Sequence, residues 1–139
     1  MRYGVLRWML VPIVGVGVFW VVFAFGIVAT SALGSLCPTE YVVSGFCGHP
    51  WYWIAVRGLF LTCSFTVAVG IVLLPAQIAP SHRWPVSLAA FGCGALVATY
   101  VLLDDSEFAW EFGCAAVGGL VGLELARRRW ARSVQRPPC

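Results

Sequence analysis

Four near-continuous apolar stretches, at residues 8–31, 51–74, 85–103 and about 108–126, leave this chain few ways to fold. Each is long enough for a helix to cross a bilayer, which takes about 20 apolar residues. Of the 139 residues, 60% are hydrophobic and 11% charged, against about 25% charged in an ordinary soluble domain. A water-soluble protein of this length has too little interior to hide that surface. The expected fold is an all-α, four-span up-down bundle, one membrane domain over residues 1–126. A basic tail over 127–139 follows it, and no linker divides the chain.

The first stretch follows Arg2 and Arg7, as a secretory signal would. A signal's apolar core is about 7–15 residues; this one is longer, so an uncleaved first span is expected. Pro75 is expected to end the second span, and the connection from 76 to 84 is short. Residues 32–50, ALGSLCPTEYVVSGFCGHP, form a polar loop punctuated by Pro38, Gly45, Gly48 and Pro50, residues that favour turns.

The charges are sorted by side. All nine basic residues are arginine, a uniformity that reads as genome composition bias. Arg2, Arg7, Arg83 and the tail arginines fall on one face of a four-span bundle. Glu40, Asp104, Asp105 and Glu107 fall on the other. The positive-inside rule then puts both termini in the cytoplasm. The setting expected is a bacterial cytoplasmic (inner) membrane, with loop 32–50 periplasmic or extracellular. Trp8, Trp84 and Trp130 would mark the inner interface, and Trp51, Trp53 and Trp110 the outer one.

One charge interrupts the second span. Arg57 lies six residues after Trp51, about 9 Å deeper at 1.5 Å per residue. A charge at the bilayer centre costs about 2.5–3.5 kcal/mol on insertion scales, and less near the edge. The acids on the same side, Asp104, Asp105, Glu107 and Glu111, are the candidate partners. Glu111 is favoured because it sits inside the fourth span at similar depth. Glu107, Glu111, Cys114, Gly118 and Gly122 share one helix face. Gly118 and Gly122 make a small-xxx-small pair that suits helix contact, and Gly92 and Gly94 near the middle of the third span are further candidates for helix packing. An Arg57–Glu111 contact is therefore expected. It serves either to fix helix register or as a polar layer that binds a substrate, ion or headgroup from outside. Snorkelling of Arg57 to the outer surface is the third possibility.

Cys37 and Cys47 lie in a loop expected to meet an oxidising compartment. A disulfide there would contribute about 2–3 kcal/mol by loop closure. A redox-active pair is the weaker reading, because the spacing is not C-x-x-C. Cys63, Cys93 and Cys114 fall near the middle of three different spans. Their converging thiolates would suit a soft metal such as Cu(I). The plainer reading, small hydrophobes at helix contacts, is preferred, so no metal and no cofactor is assigned.

Arg127, Arg128, Arg129 and Arg132 extend the fourth helix into the cytoplasm, where each arginine can hold anionic headgroups at about 1 kcal/mol. Nucleic acid is excluded as a partner: the basic segment is short, membrane-adjacent and without a recognised binding module. There is no acidic residue in the first span, no C-x-x-C and no paired cysteines within a span, so three familiar small-membrane-protein chemistries lack their residues. What remains is an accessory or assembly subunit of a larger membrane complex, with a membrane-protein partner or a homo-oligomer as its company. A small transporter or channel using Arg57 and the outer acids is the alternative, and a thiol–disulfide membrane protein the second alternative.

Overall fold

The computed structural model describes residues 2–43, 45–79, 83–104 and 109–134, with side chains described between 7 and 130. Among these residues are four helices: α1 (Arg2–Ser35), α2 (Pro50–Ile78), α3 (Arg83–Asp104) and α4 (Ala109–Val134). Each contains a stretch long and apolar enough to cross a membrane, with mean hydropathy from 2.5 in α1 to 1.3 in α4. The exposed surface carries Trp20, Phe25, Ile54, Leu96 and Tyr100, each more than half exposed. Large apolar side chains that face outward are a liability in water and ordinary in lipid. The chain has the build of an integral membrane protein.

Helix α2 is the hub. It packs against α1, α3 and α4; α3 and α4 also touch each other, while α1 rests chiefly on α2. Small residues bring the backbones together. A Cβ added at Gly70 would stand 2.7 Å from Val18 Cγ1, one at Gly26 3.7 Å from Cys63 Sγ, and one at Gly15 3.9 Å from Pro75 Cγ. Positions rising along α1 thus meet positions falling along α2, and the two run antiparallel. On α4, Gly118 meets Phe65, and Gly122 meets Val69 and Val72. Numbers rise together here, so α2 and α4 run parallel.

Serine and threonine hydroxyls in the spans are mostly spent locally. Thr30, Thr62, Thr66 and Thr99 donate to the carbonyls of Gly26, Gly58, Thr62 and Ala95 on their own helices. Ser87 differs: it is fully buried, and its hydroxyl stands 3.4 Å from the Val72 carbonyl of α2 and 3.3 Å from the Arg83 carbonyl. It is a polar tie between helices in the region where lipid offers no alternative partner.

Pro75 does not end the second helix. Helix α2 continues through it to Ile78, and the Ala79 N–H donates to the Pro75 carbonyl at 3.1 Å. Proline removes one intrahelical donor, and a helix near its end, packed around a buried ring, tolerates that loss. Pro12 also lies inside a helix, α1, but there the ring is exposed.

The connection between α1 and α2 is more ordered than a punctuated loop. A 3-10 turn (Thr39–Tyr41) leads into a short antiparallel hairpin of β1 (Val42–Val43) and β2 (Phe46–Cys47), pairing Val42 with Cys47 and Val43 with Phe46. Gly45 has φ 83°, a left-handed conformation that glycine adopts without a Cβ clash. His49 precedes α2, its Nδ1 accepting from the Trp51 N–H at 3.4 Å. Pro50 takes the first helical position, where its missing N–H costs nothing.

Candidate functional site

The packing register sets the depth of the two charges. Glu111 lies seven residues before Gly118, and Gly58 seven before Phe65, the residue Gly118 touches. Glu111 and Arg57 therefore share a level, as their positions in the sequence implied. Direction separates them. Eight residues part Arg57 from Phe65, which at 3.6 residues per turn turns Arg57 about 80° away from the face that meets α4.

The Arg57–Glu111 ion pair does not form. Arg57 is exposed on the outer surface of the helices, and among the described residues no carboxylate contacts it. Glu111 is half-buried, and its Oε2 is buried without a hydrogen-bond partner. Equal depth was legible from the sequence, whereas the angular offset needed the α2–α4 contact to be known. Asp104, at the end of α3, is exposed. Asp105 and Glu107 lie outside the described residues.

Two ion pairs that sequence reasoning missed lie at the other end of α4. Glu124 accepts from Arg127 at 3.0 Å and from Arg128 at 2.7 Å. The signal was present as a glutamate three and four residues before two arginines, the spacing that brings side chains together on a helix. Arg129 lies one residue further round and has no carboxylate partner among the described residues. The side chain of Arg132 is not among those described.

Cys37 and Cys47 are joined, with Cα atoms 5.8 Å apart. The bond ties the end of α1 to the hairpin, and Cys47 is buried beneath it. Tyr41 and His49 meet edge to face, with ring centroids 4.7 Å apart, and the Gly48 N–H donates to the Tyr41 carbonyl at 2.8 Å. The loop is a stapled cap over the start of α2.

The membrane cysteines do not converge. Cys63 faces Gly26 on α1, Cys93 is exposed and Cys114 is half-buried. Among the described residues no group of three or more histidine, cysteine, aspartate or glutamate side chains is placed to hold a metal ion. Equal depth again did not mean a shared face, because the three helices present these positions in different directions.

The glycines divide similarly. Gly118 and Gly122 are contact residues against α2, and Gly119, which the sequence did not single out, packs against the Phe91 ring on α3. Gly92 and Gly94 have nothing within 4 Å of an added Cβ; two residues apart on α3, they are open on different faces of that helix. Compared with protein-family models, curated proteins and solved structures, the chain matches none of them.

Proposed function

We propose that this chain is a non-enzymatic accessory or assembly subunit of a larger membrane complex. It sits in a bacterial cytoplasmic membrane as an up-down four-span bundle. Both termini face the cytoplasm, and the stapled loop faces outward. The observation that carries this reading is Arg57, an exposed guanidinium on a spanning helix without a carboxylate partner among the described residues. An intramembrane charge is costly unless something neutralises it, and here the counter-charge comes from a neighbouring chain. Gly92 and Gly94 add support, since open small residues on a span suit close approach by another helix.

The test is a photo-crosslinking residue at position 57 in the membrane-embedded protein, with copurification of wild type and Arg57→Leu. The expected result is one stoichiometric membrane partner, linked at position 57 and lost in Arg57→Leu. A stable lone monomer from mild detergent, with lipid as the sole crosslinked species, overturns the proposal.

A transporter or channel is the second reading, and the buried Glu111 oxygen without a donor favours it. A carboxylate held within a span in this way suits a proton or cation from outside. Reconstituted flux abolished by Glu111→Gln, with the fold retained, supports this reading; flux unchanged in that variant removes it.

A further inference from the structure

Helix α2 carries an open apolar groove of about 390 Å³ that none of the described side chains fills, floored by Phe65, Val69, Gly70 and Leu73. Its volume falls within the range of small-molecule sites. The groove follows α2 from Phe65 to Gln77, twelve helical steps or about 18 Å at the helical rise. At the Gln77 end its lining changes character. The Gln77 amide and the Arg129 side chain of α4 close it, and these are the polar groups at its mouth, with Thr66 beside the floor.

The Thr66 hydroxyl is already spent on the Thr62 carbonyl, so the body of the groove has little to offer a polar guest. Arg129 is the opposite case. Its neighbours Arg127 and Arg128 are both held by Glu124, whereas Arg129 is exposed and has no carboxylate partner among the described residues. The groove therefore pairs a long apolar floor with a cation that no described carboxylate neutralises, at the end where the apolar helices give way to the basic tail.

We propose that this groove seats a single anionic phospholipid of the leaflet that meets the basic tail. One acyl chain lies along α2, and the phosphate sits on Arg129 and Gln77. A guanidinium presents a planar fork of donors that matches a phosphate, and the Gln77 amide adds a neutral donor beside it. A zwitterionic lipid fills the floor equally well but lacks the net charge that Arg129 selects. The site is independent of whichever protein meets Arg57, since it lies at the other end of α2 and on another face.

The experiment is native mass spectrometry of the full chain in a nonionic detergent. It is titrated with phosphatidylglycerol or with phosphatidylcholine of identical acyl chains. The expected result is one retained phosphatidylglycerol per chain. Arg129→Gln weakens it about fivefold, the factor one arginine–headgroup contact supplies. Arg127→Gln changes it by less than about twofold, because that side chain already serves Glu124. Thr66→Trp and Leu74→Trp, which fill the groove and leave every charge in place, each displace the lipid.

Three results overturn the proposal. One is equal retention of the two lipids. Another is Arg127→Gln matching Arg129→Gln, which makes the tail a diffuse basic surface. The third is a phosphatidylglycerol adduct that survives both tryptophan variants when circular dichroism shows them folded.

Discussion

Gly118 lies so close to Phe65 that a Cβ there would stand 2.6 Å from the Phe65 carbonyl oxygen and 3.1 Å from its Cα. The obstacle is main chain, which cannot swing aside. At Gly119 an added Cβ would come as near, 2.6 Å, but to the Phe91 ring, a side chain with some freedom to move. At Gly113 nothing stands within 4 Å. Stability should therefore fall most in Gly118→Ala, by about 1–3 kcal/mol as overpacking usually costs. It should fall less in Gly119→Ala and not at all in Gly113→Ala. Reversible unfolding in mixed micelles measures the series; equal losses at all three positions would contradict the close α2–α4 contact.

Ser87 gives a prediction of small size. Its bonds to the Val72 and Arg83 carbonyls are long, 3.4 and 3.3 Å, and interhelical hydrogen bonds in membranes average about 0.6 kcal/mol. Ser87→Ala should cost less than about 1 kcal/mol. Ser87→Leu should cost more, because the site is fully buried and has no room for the extra methylenes. The same unfolding assay separates volume from bonding: a larger loss in the alanine variant would make the hydroxyl the dominant element.

The stapled loop predicts a redox-dependent stability. Cys37→Ser and Cys47→Ser should each lower it by about 2–3 kcal/mol, as expected for a closed loop with ten residues of separation. Reductant should have the same effect on the wild type and none on the variants. Labelling with a thiol reagent before and after reduction checks the pairing, since Cys37 and Cys47 should react only after it.

Arg57 and Glu111 should be energetically independent within the isolated chain. A double-mutant cycle with Arg57→Ala and Glu111→Ala should give a coupling below about 0.5 kcal/mol, the additivity expected of residues that do not touch. Arg57→Leu should leave the chain, once stripped of its partner, as stable as wild type stripped in the same way. A coupling of about 1 kcal/mol or more would mean that the two side chains meet in the membrane.

Most of the architecture was legible because lipid imposes length and composition. The four apolar stretches announced the four helices, and the turn residues between 36 and 50 marked the loop. Helix ends were less legible: α2 runs beyond Pro75 because a buried ring can substitute packing for a lost hydrogen bond. The site was legible in depth but not in direction. Arg57 and Glu111 share a level, as do the three membrane cysteines approximately. Which face each occupies depends on how helices dock, and that is set by contacts between distant segments such as Gly118 and Phe65. The helix-period signal is weak here, since both sides of α1 and α2 are apolar; in a water-soluble helix the polar face would have disclosed the orientation. Gly118 and Gly122 were found by spacing, whereas Gly70, Gly119 and Ser87 were passed over because a single small residue carries no pattern.

That α1, α3 and α4 all lean on α2 bears on the order in which the protein is made. Helix α1, made before α2, has no substantial resting place among the other described helices until α2 follows it. Once α2 emerges, the antiparallel pair can close before the later half of the chain has been synthesised, leaving the opposite flank of α2 free to receive α3 and α4 as they arrive. A lesion in α2 would then strand α1 and leave α3 and α4 only their contact with each other, while one in α1 would leave the remaining three able to find each other.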